Sequence, residues 1–371
     1  MLKNNIYFFI GTEAELIKVF PIIIECQKNG KKCHIIASGQ NDLKKSRILK
    51  EICLEGKYIE LSSETTVKKS AKGLLGWFIV TLSRAKQNIL SNFTKEMIKG
   101  NKLVVHGDTV STLMGAIVGK ILKMQVCHVE AGLRSHNWFN PFPEEIDRML
   151  TSRLAQVHFA PGEEPVQNLM KVKGSVVNTK LNTILDSLFY SQKIPIATKQ
   201  LQEIMQKDYF VFVMHRQENL MNKEFVKQVV ERIIRIAEKK KCILVLHKIT
   251  ENALQEMGLL EVLKNNPNFI LLPRVDYFDF MKLLNNASYV MTDGGSNQEE
   301  LCYMGKPCLI LRNNTERKEG IGMNAVMFNG DVEQILSFAD TYEKYETEGV
   351  KAEQSPSKII ADYICGENVN S

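Results

Sequence analysis

The alternation of short aliphatic runs with amphipathic segments constrains this chain more than any other feature. Strand-like runs at residues 6–10, 32–37, 103–106, 125–129 and 157–160 are rich in β-branched and aliphatic residues, and helix-like segments separate them. That order predicts a parallel sheet with helices on both faces. After an interval with little β signal, the pattern repeats at 210–214, 242–247, 269–272, 289–292 and 308–311. Two sheets are therefore expected, and 371 residues suffice for two cores at roughly 150 residues per domain. The expected division is 1–180 and 181–354, with the junction in the polar, proline-interrupted stretch near 178–205.

Composition removes several classes. A net charge of +6 over a chain that is 24% charged is too mild for a nucleic-acid partner. The apolar stretch 73–82 is about half the roughly 20 residues a membrane-spanning helix needs, so no membrane insertion is expected. No export signal precedes the first strand. The eight cysteines form no CxxC pair, and Cys26, Cys33, Cys127, Cys242 and Cys308 sit in apolar runs, which points to buried free thiols in a reducing cytoplasm. No metal-ligand spacing is visible, and no GxGxxG or P-loop sequence supports a dinucleotide or nucleoside triphosphate cofactor. Among helices, Asn222 is placed to cap an apolar stripe of Val226, Val229, Val230, Ile233 and Ile234, and Pro21 inside the first helix predicts a kink.

In open parallel sheets ligands bind beyond the carboxyl ends of the strands. There this chain places His106-Gly107-Asp108-Thr109, Glu130-Ala131-Gly132-Leu133-Arg134, His215-Arg216 and Asp293-Gly294-Gly295-Ser296, and the strand at 242–247 closes on His247. Each residue also has a plainer reading. Asp108 and Thr109 could cap a helix. Glu144 and Glu145 follow Pro143 at a helix start, where acids suit the helix dipole. Ser296 to Glu299 fits a capping box, which leaves Glu300 as the freer carboxylate. Only Glu130 follows a buried-looking strand with no helix beginning there.

Taken jointly, HGDT at 106–109, HVEAGLRS at 128–135, PFPEE at 141–145, the pair at 215 and 216, TDGGSNQEE at 292–300 and ERKE at 316–319 resemble the non-hydrolysing UDP-N-acetylglucosamine 2-epimerases. The resemblance covers most of residues 6–330. It implies two Rossmann-like domains in a GT-B arrangement, a ligand cleft between them, and a tail at 355–371 that packs back on the first domain. It also implies a UDP-sugar substrate, no cofactor, and epimerisation at C2 by loss and return of UDP, in the service of surface polysaccharide precursors. A hydrolysing relative that releases free sugar, a GT-B glycosyltransferase and a sugar-nucleotide-binding protein are the alternatives.

By resemblance Asp108, Glu130 and Glu144 form the acid/base set and His215 assists the diphosphate. Phe280 would meet the uracil, Glu300 the ribose, and Gly294, Gly295 and Ser296 the phosphates at a helix N-terminus. Lys18, Arg134, Arg312 and Arg317 would supply positive charge, and His247 is counted with the nucleotide-binding set. A homodimer is expected, with the region around Trp77 and Phe78 serving either as contact or as core. The chain departs from the family at Gly11-Thr12-Glu13-Ala14-Glu15, where the family has GTRPE: Glu13 stands in the place of an arginine near the diphosphate. The departure points to a relative of UDP-N-acetylglucosamine as substrate.

Overall fold

The computed structural model describes residues 4–62, 71–137, 142–312, 317–351 and 353–366. Pro141, Glu316 and the end of the tail, 367–371, lie outside the described residues. The chain divides into two compact units, Met1–Ser187 with Glu353–Ser371, and Leu188–Ala352.

The first unit holds β1 (Asn5–Ile10), β2 (Lys32–Ala37), β3 (Tyr58–Glu60), β4 (Lys102–His106), β5 (Gln125–Val129), β6 (Val157–Ala160) and β7 (Ser175–Asn178) in the order β3-β2-β1-β4-β5-β6-β7. The second holds β8 (Tyr209–Val213), β9 (Lys241–Leu246), β10 (Phe269–Pro273), β11 (Val290–Thr292), β12 (Cys308–Ile310) and β13 (Ala325–Met327) in the order β10-β9-β8-β11-β12-β13. Every pairing is parallel. Central strands such as β8 are buried along their whole length, because helices cover both faces and leave no polar side to the pleat. In each sheet the strand order reverses once, at β1/β4 and at β8/β11, and such a reversal opens a crevice at the strands' carboxyl ends.

The helix Lys223–Ala237 is capped as its sequence predicts: the Asn222 side chain accepts from the Phe225 N–H at 3.1 Å. The helix Glu13–Lys28 runs through Pro21 without interruption. A proline removes the N–H that would bond the carbonyl one turn back, here Ile17, and the buried Ser187 hydroxyl fills the gap by donating to Ile17 O at 2.5 Å. The helix Pro356–Cys365 belongs to the first unit, with its Ser357 N–H bonded to Asp186 Oδ2 at 2.7 Å. The five cysteines expected inside are buried, and all eight are free thiols. Trp77 is 6% exposed and packs in the core of the first unit, so the core reading holds for it. Its helix, Ala71–Asn92, instead exposes Leu75, Ile79 and Val80. No helix of the described residues is long and apolar enough to cross a membrane.

Candidate active site

In the first unit the strand ends bring several predicted residues together. Glu130 follows β5 with φ of 61°, a left-handed backbone that a side chain adopts at a cost of about 1–3 kcal/mol and that clusters at functional sites. Its carboxylate is 8% exposed and receives the Lys18 ammonium at 2.6 Å. The Asn182 amide donates to the same oxygen, and His106 Nε2 lies 3.7 Å from the other. Gly107, at φ 71°, turns the chain beside it, and a Cβ there would stand 3.4 Å from Glu130 Oε2. His128 fixes that turn through Nε2 to Gly107 O at 2.7 Å; burial pushes its imidazole down to about 4, so the ring is neutral and Nε2 donates.

The capping alternative for 108 and 109 divides between the two residues. Thr109 caps the helix Val110–Ile121 in a capping box with Thr112, which leaves the Asp108 carboxylate to pair with Arg148. Burial raises the Asp108 carboxyl above its ordinary value, and the Arg148 guanidinium opposes that rise. Pro143 occupies the N-cap of the helix Glu144–Leu154 and not its first turn. The two acids that follow part ways. Glu145 is wholly buried, accepts the Ser135 N–H at 3.0 Å and pairs with Arg134. Burial would raise it, and the Ser135 N–H with Arg134 outweigh burial and hold it below its ordinary value. Among the described residues, Glu144 Oε2 is buried with no hydrogen-bond partner. Arg134 is thus engaged with a structural carboxylate.

Three residues of this region carried little sequence signal. Asp147 is 5% exposed, and its carboxyl is pushed up to about 7, first by burial and then by Glu144 and Asp108. Glu15, 3% exposed, takes the Gly11 N–H at 2.6 Å and the Thr109 hydroxyl, and burial pushes it up to about 7. Asn182 lies in an irregular segment where no periodicity marks it.

In the second unit Asp293, at the end of β11, is fully buried and accepts the His215 and Arg216 N–H groups at 2.9 Å each. His215 stacks on His247 with ring centroids 4.6 Å apart. Burial lowers His215, and burial reinforced by His215 and Arg274 pushes His247 down to about 4, so the ring carries no charge at neutral pH. A Cβ on Gly294 would sit 2.6 Å from Asn297 Oδ1 and 3.0 Å from His215 Cε1, so any larger residue would have to displace the Asn297 side chain and crowd the His215 ring. The helix Gly295–Met304 starts directly after it, with no side-chain cap, so Ser296 is exposed inside the first turn and the capping-box expectation fails. The N–H groups of its first turn are the ones a helix leaves for an anion, whereas the Gly294 N–H at the cap donates to the Thr292 hydroxyl at 3.0 Å. Glu300 is buried and accepts the Asn297 amide at 3.2 Å. Phe280 is half-buried on the helix Tyr277–Asn286. Arg317 pairs at 2.7 Å with the buried Glu299, and Arg312 is 9% exposed just past β12. Among the described residues no group of three or more His, Cys, Asp or Glu side chains could hold a metal ion.

The family model described as UDP-N-acetylglucosamine 2-epimerase matches residues 24–360. The chain belongs to the UDP-N-acetylglucosamine 2-epimerase family. The enzyme of that name from Methanocaldococcus jannaschii is 34% identical over 340 residues, 88% of each chain, and that from Neisseria meningitidis is 28% identical over 95% of this chain and 97% of its own. Solved structures agree. The M. jannaschii epimerase in complex with UDP-GlcNAc and UDP superposes with a TM-score of 0.76 at 29% identity, covering 97% of this chain and 99% of that one. The N. meningitidis epimerase bound to UDP-GlcNAc gives 0.76 at 26% identity over 98% of this chain and all of that one. A kitacinnamycin glycosyltransferase, at 10% identity and a TM-score of 0.60, shares the fold alone. Membership of the family makes this chain an isomerase of the 2-epimerase type.

Proposed function

We propose that the protein inverts C2 of UDP-N-acetylglucosamine, or of a related UDP-2-acetamido sugar, by eliminating UDP and adding it back. The observation that carries this reading is Glu130: a carboxylate held by Lys18 and Asn182 in a strained backbone, with Asp108 on the neighbouring strand end. The hydrogen on C2 is barely acidic, so the reaction needs a placed base, a placed acid and stabilisation of the departing diphosphate. A base takes the C2 proton, the C1–O bond breaks with its electron pair leaving on UDP, and a 2-acetamidoglucal remains. A proton then enters C2 from the other face while the diphosphate oxygen re-forms the bond to C1. In this reading Asp108, Glu130 and Glu144 move the protons. Neutral His215 and His247, with the N–H groups of Gly295 and Ser296, receive the diphosphate, and the Gly294 N–H stays on the Thr292 hydroxyl. Glu300 and Phe280 take the ribose and uracil, and Arg312 and Arg317 add positive charge.

Incubation with UDP-N-acetylglucosamine in deuterated water tests the reading. Deuterium at C2 of a sugar that stays UDP-linked is the expected result. Release of free sugar would support the hydrolysing course instead, and an unlabelled, unchanged substrate would end the proposal for this donor.

The protein acts as a homodimer in this proposal, using the helix face of Leu75, Ile79 and Val80, which are 61%, 58% and 49% exposed. The free state of all eight thiols supports a reducing cytoplasm as its compartment.

A further inference from the structure

The helix Glu144–Leu154 carries a second unpartnered acid. Asp147 is 95% withdrawn from solvent, and its Oδ2, like Glu144 Oε2, is buried without a hydrogen bond. Residues three apart on a helix stand about 5–6 Å from each other at Cβ, so the two carboxyls share one face. Among the described residues, Arg148 holds Asp108 and approaches Glu145 at 3.7 Å, and Arg134 holds Glu145. Among the described residues, the two elements packed most closely on this helix bring no compensating charge. The helix Val110–Ile121 has only Lys120, in its last turn. Strand β5 contributes the buried thiol of Cys127 and the neutral His128. The remaining charge facing Asp147 is Asp108, another acid.

We propose that Asp147 is a positioning residue that acts through Glu144: the two carboxyls, one turn apart and without a cation, hold a single proton between them and deliver it to the substrate through Glu144. This rests on the epimerase reading and deepens it. The single proton passes from Asp147 to Glu144 and from Glu144 to C2, so both carboxyls end ionised. The proton removed from the opposite face stays on the base there, and solvent resets both. Burial of Asp147, reinforced by the Glu144 and Asp108 charges, keeps one proton in place up to about pH 7, the value to which Asp147 is pushed.

The test is the pH profile of C2 deuterium exchange in the parent and in Asp147→Asn, a near-isosteric change. In the parent, exchange should fall as pH rises through about 7, when the shared proton is lost. In the variant the carboxyl that stores the proton is gone, so the fall near 7 is lost and kcat at pH 7 drops on the order of a hundredfold with KM unchanged. A merely structural role would leave the profile where it was, and superimposable profiles overturn the proposal. Carboxyl 13C NMR gives a readout independent of turnover: a resonance titrating near 7 that disappears in Asp147→Asn and moves to lower pH in Glu144→Gln. If the resonance behaves so but no UDP-sugar exchanges, the epimerase reading fails and the proton pair stands. If exchange occurs and the resonance is absent, the pair fails alone.

Discussion

At the scale of single residues, the Lys18–Glu130 pair carries the most exposed claim. Both side chains are 8% exposed, so each charge has lost most of its water and depends on the other. Removing one partner strands the other, at about 3–5 kcal/mol, while removing both costs far less. Lys18→Met should therefore lower the unfolding free energy by about 3 kcal/mol or more, and Lys18→Met combined with Glu130→Gln should recover most of it. Urea titration of the three variants checks this, and equal losses in single and double variants would contradict it. Glu13 poses a question of charge and not of stability. It opens the helix Glu13–Lys28, where an acid suits the dipole. If it also faces the diphosphate, two like charges about 4 Å apart repel by roughly 1–4 kcal/mol. Glu13→Arg should then bind UDP tenfold tighter or better by calorimetry, and an unchanged affinity would mean that it points elsewhere.

At the scale of elements, Pro21 shows how a local rule is met by a distant residue. The Ile17 carbonyl freed by the proline accepts the Ser187 hydroxyl, which reaches it from another part of the chain. Ser187→Ala should cost about 1 kcal/mol by taking this donor from the part-buried Ile17 carbonyl. Adding Pro21→Ala should restore much of it by returning the N–H. Chemical denaturation of the single and double variants decides, and strictly additive losses would refute the argument. Nothing in the sequence near Pro21 announces Ser187, since the link is made only in the fold. The strands divide in the same way. β2, β5 and β6 were legible to the residue because their runs are aliphatic and buried on both faces. β3, β7 and β13 are not legible in the sequence: they are edge strands of 3, 4 and 3 residues with half-exposed patterns, too short to stand out. In the candidate site, residues at strand ends were visible because position alone marks them. Asp147 and Asn182 were not, because their significance lies in what burial does to a carboxyl and in an amide delivered by an irregular segment.

At the scale of the whole molecule, buried acids tie stability to pH. Glu15 and Asp147 are pushed up to about 7 when folded and ionise near 4 when unfolded. The folded state thus binds their protons more tightly. Their full stabilising contribution is present below about pH 4, is lost as pH rises, and is gone above about 7. The double variant Glu15→Gln, Asp147→Asn should gain melting temperature over the parent progressively between pH 4.5 and pH 8. A gain of the same size at both ends would contradict this. Assembly belongs to the same scale: Ile79→Glu should shift a dimer to monomer in sedimentation velocity without altering the circular dichroism, and a monomeric parent would remove the proposed contact.

The central claim is that acids from separate strand and helix ends of the first unit exchange the C2 hydrogen of a UDP-sugar. Its most direct measurement is C2 deuterium uptake by Asp108→Asn, Glu130→Gln and Glu144→Gln beside the parent, with UDP affinity measured in parallel. The account predicts uptake in the parent, a loss of about a hundredfold or more in each variant, and UDP binding retained. Uptake at the parent rate in all three variants would contradict it.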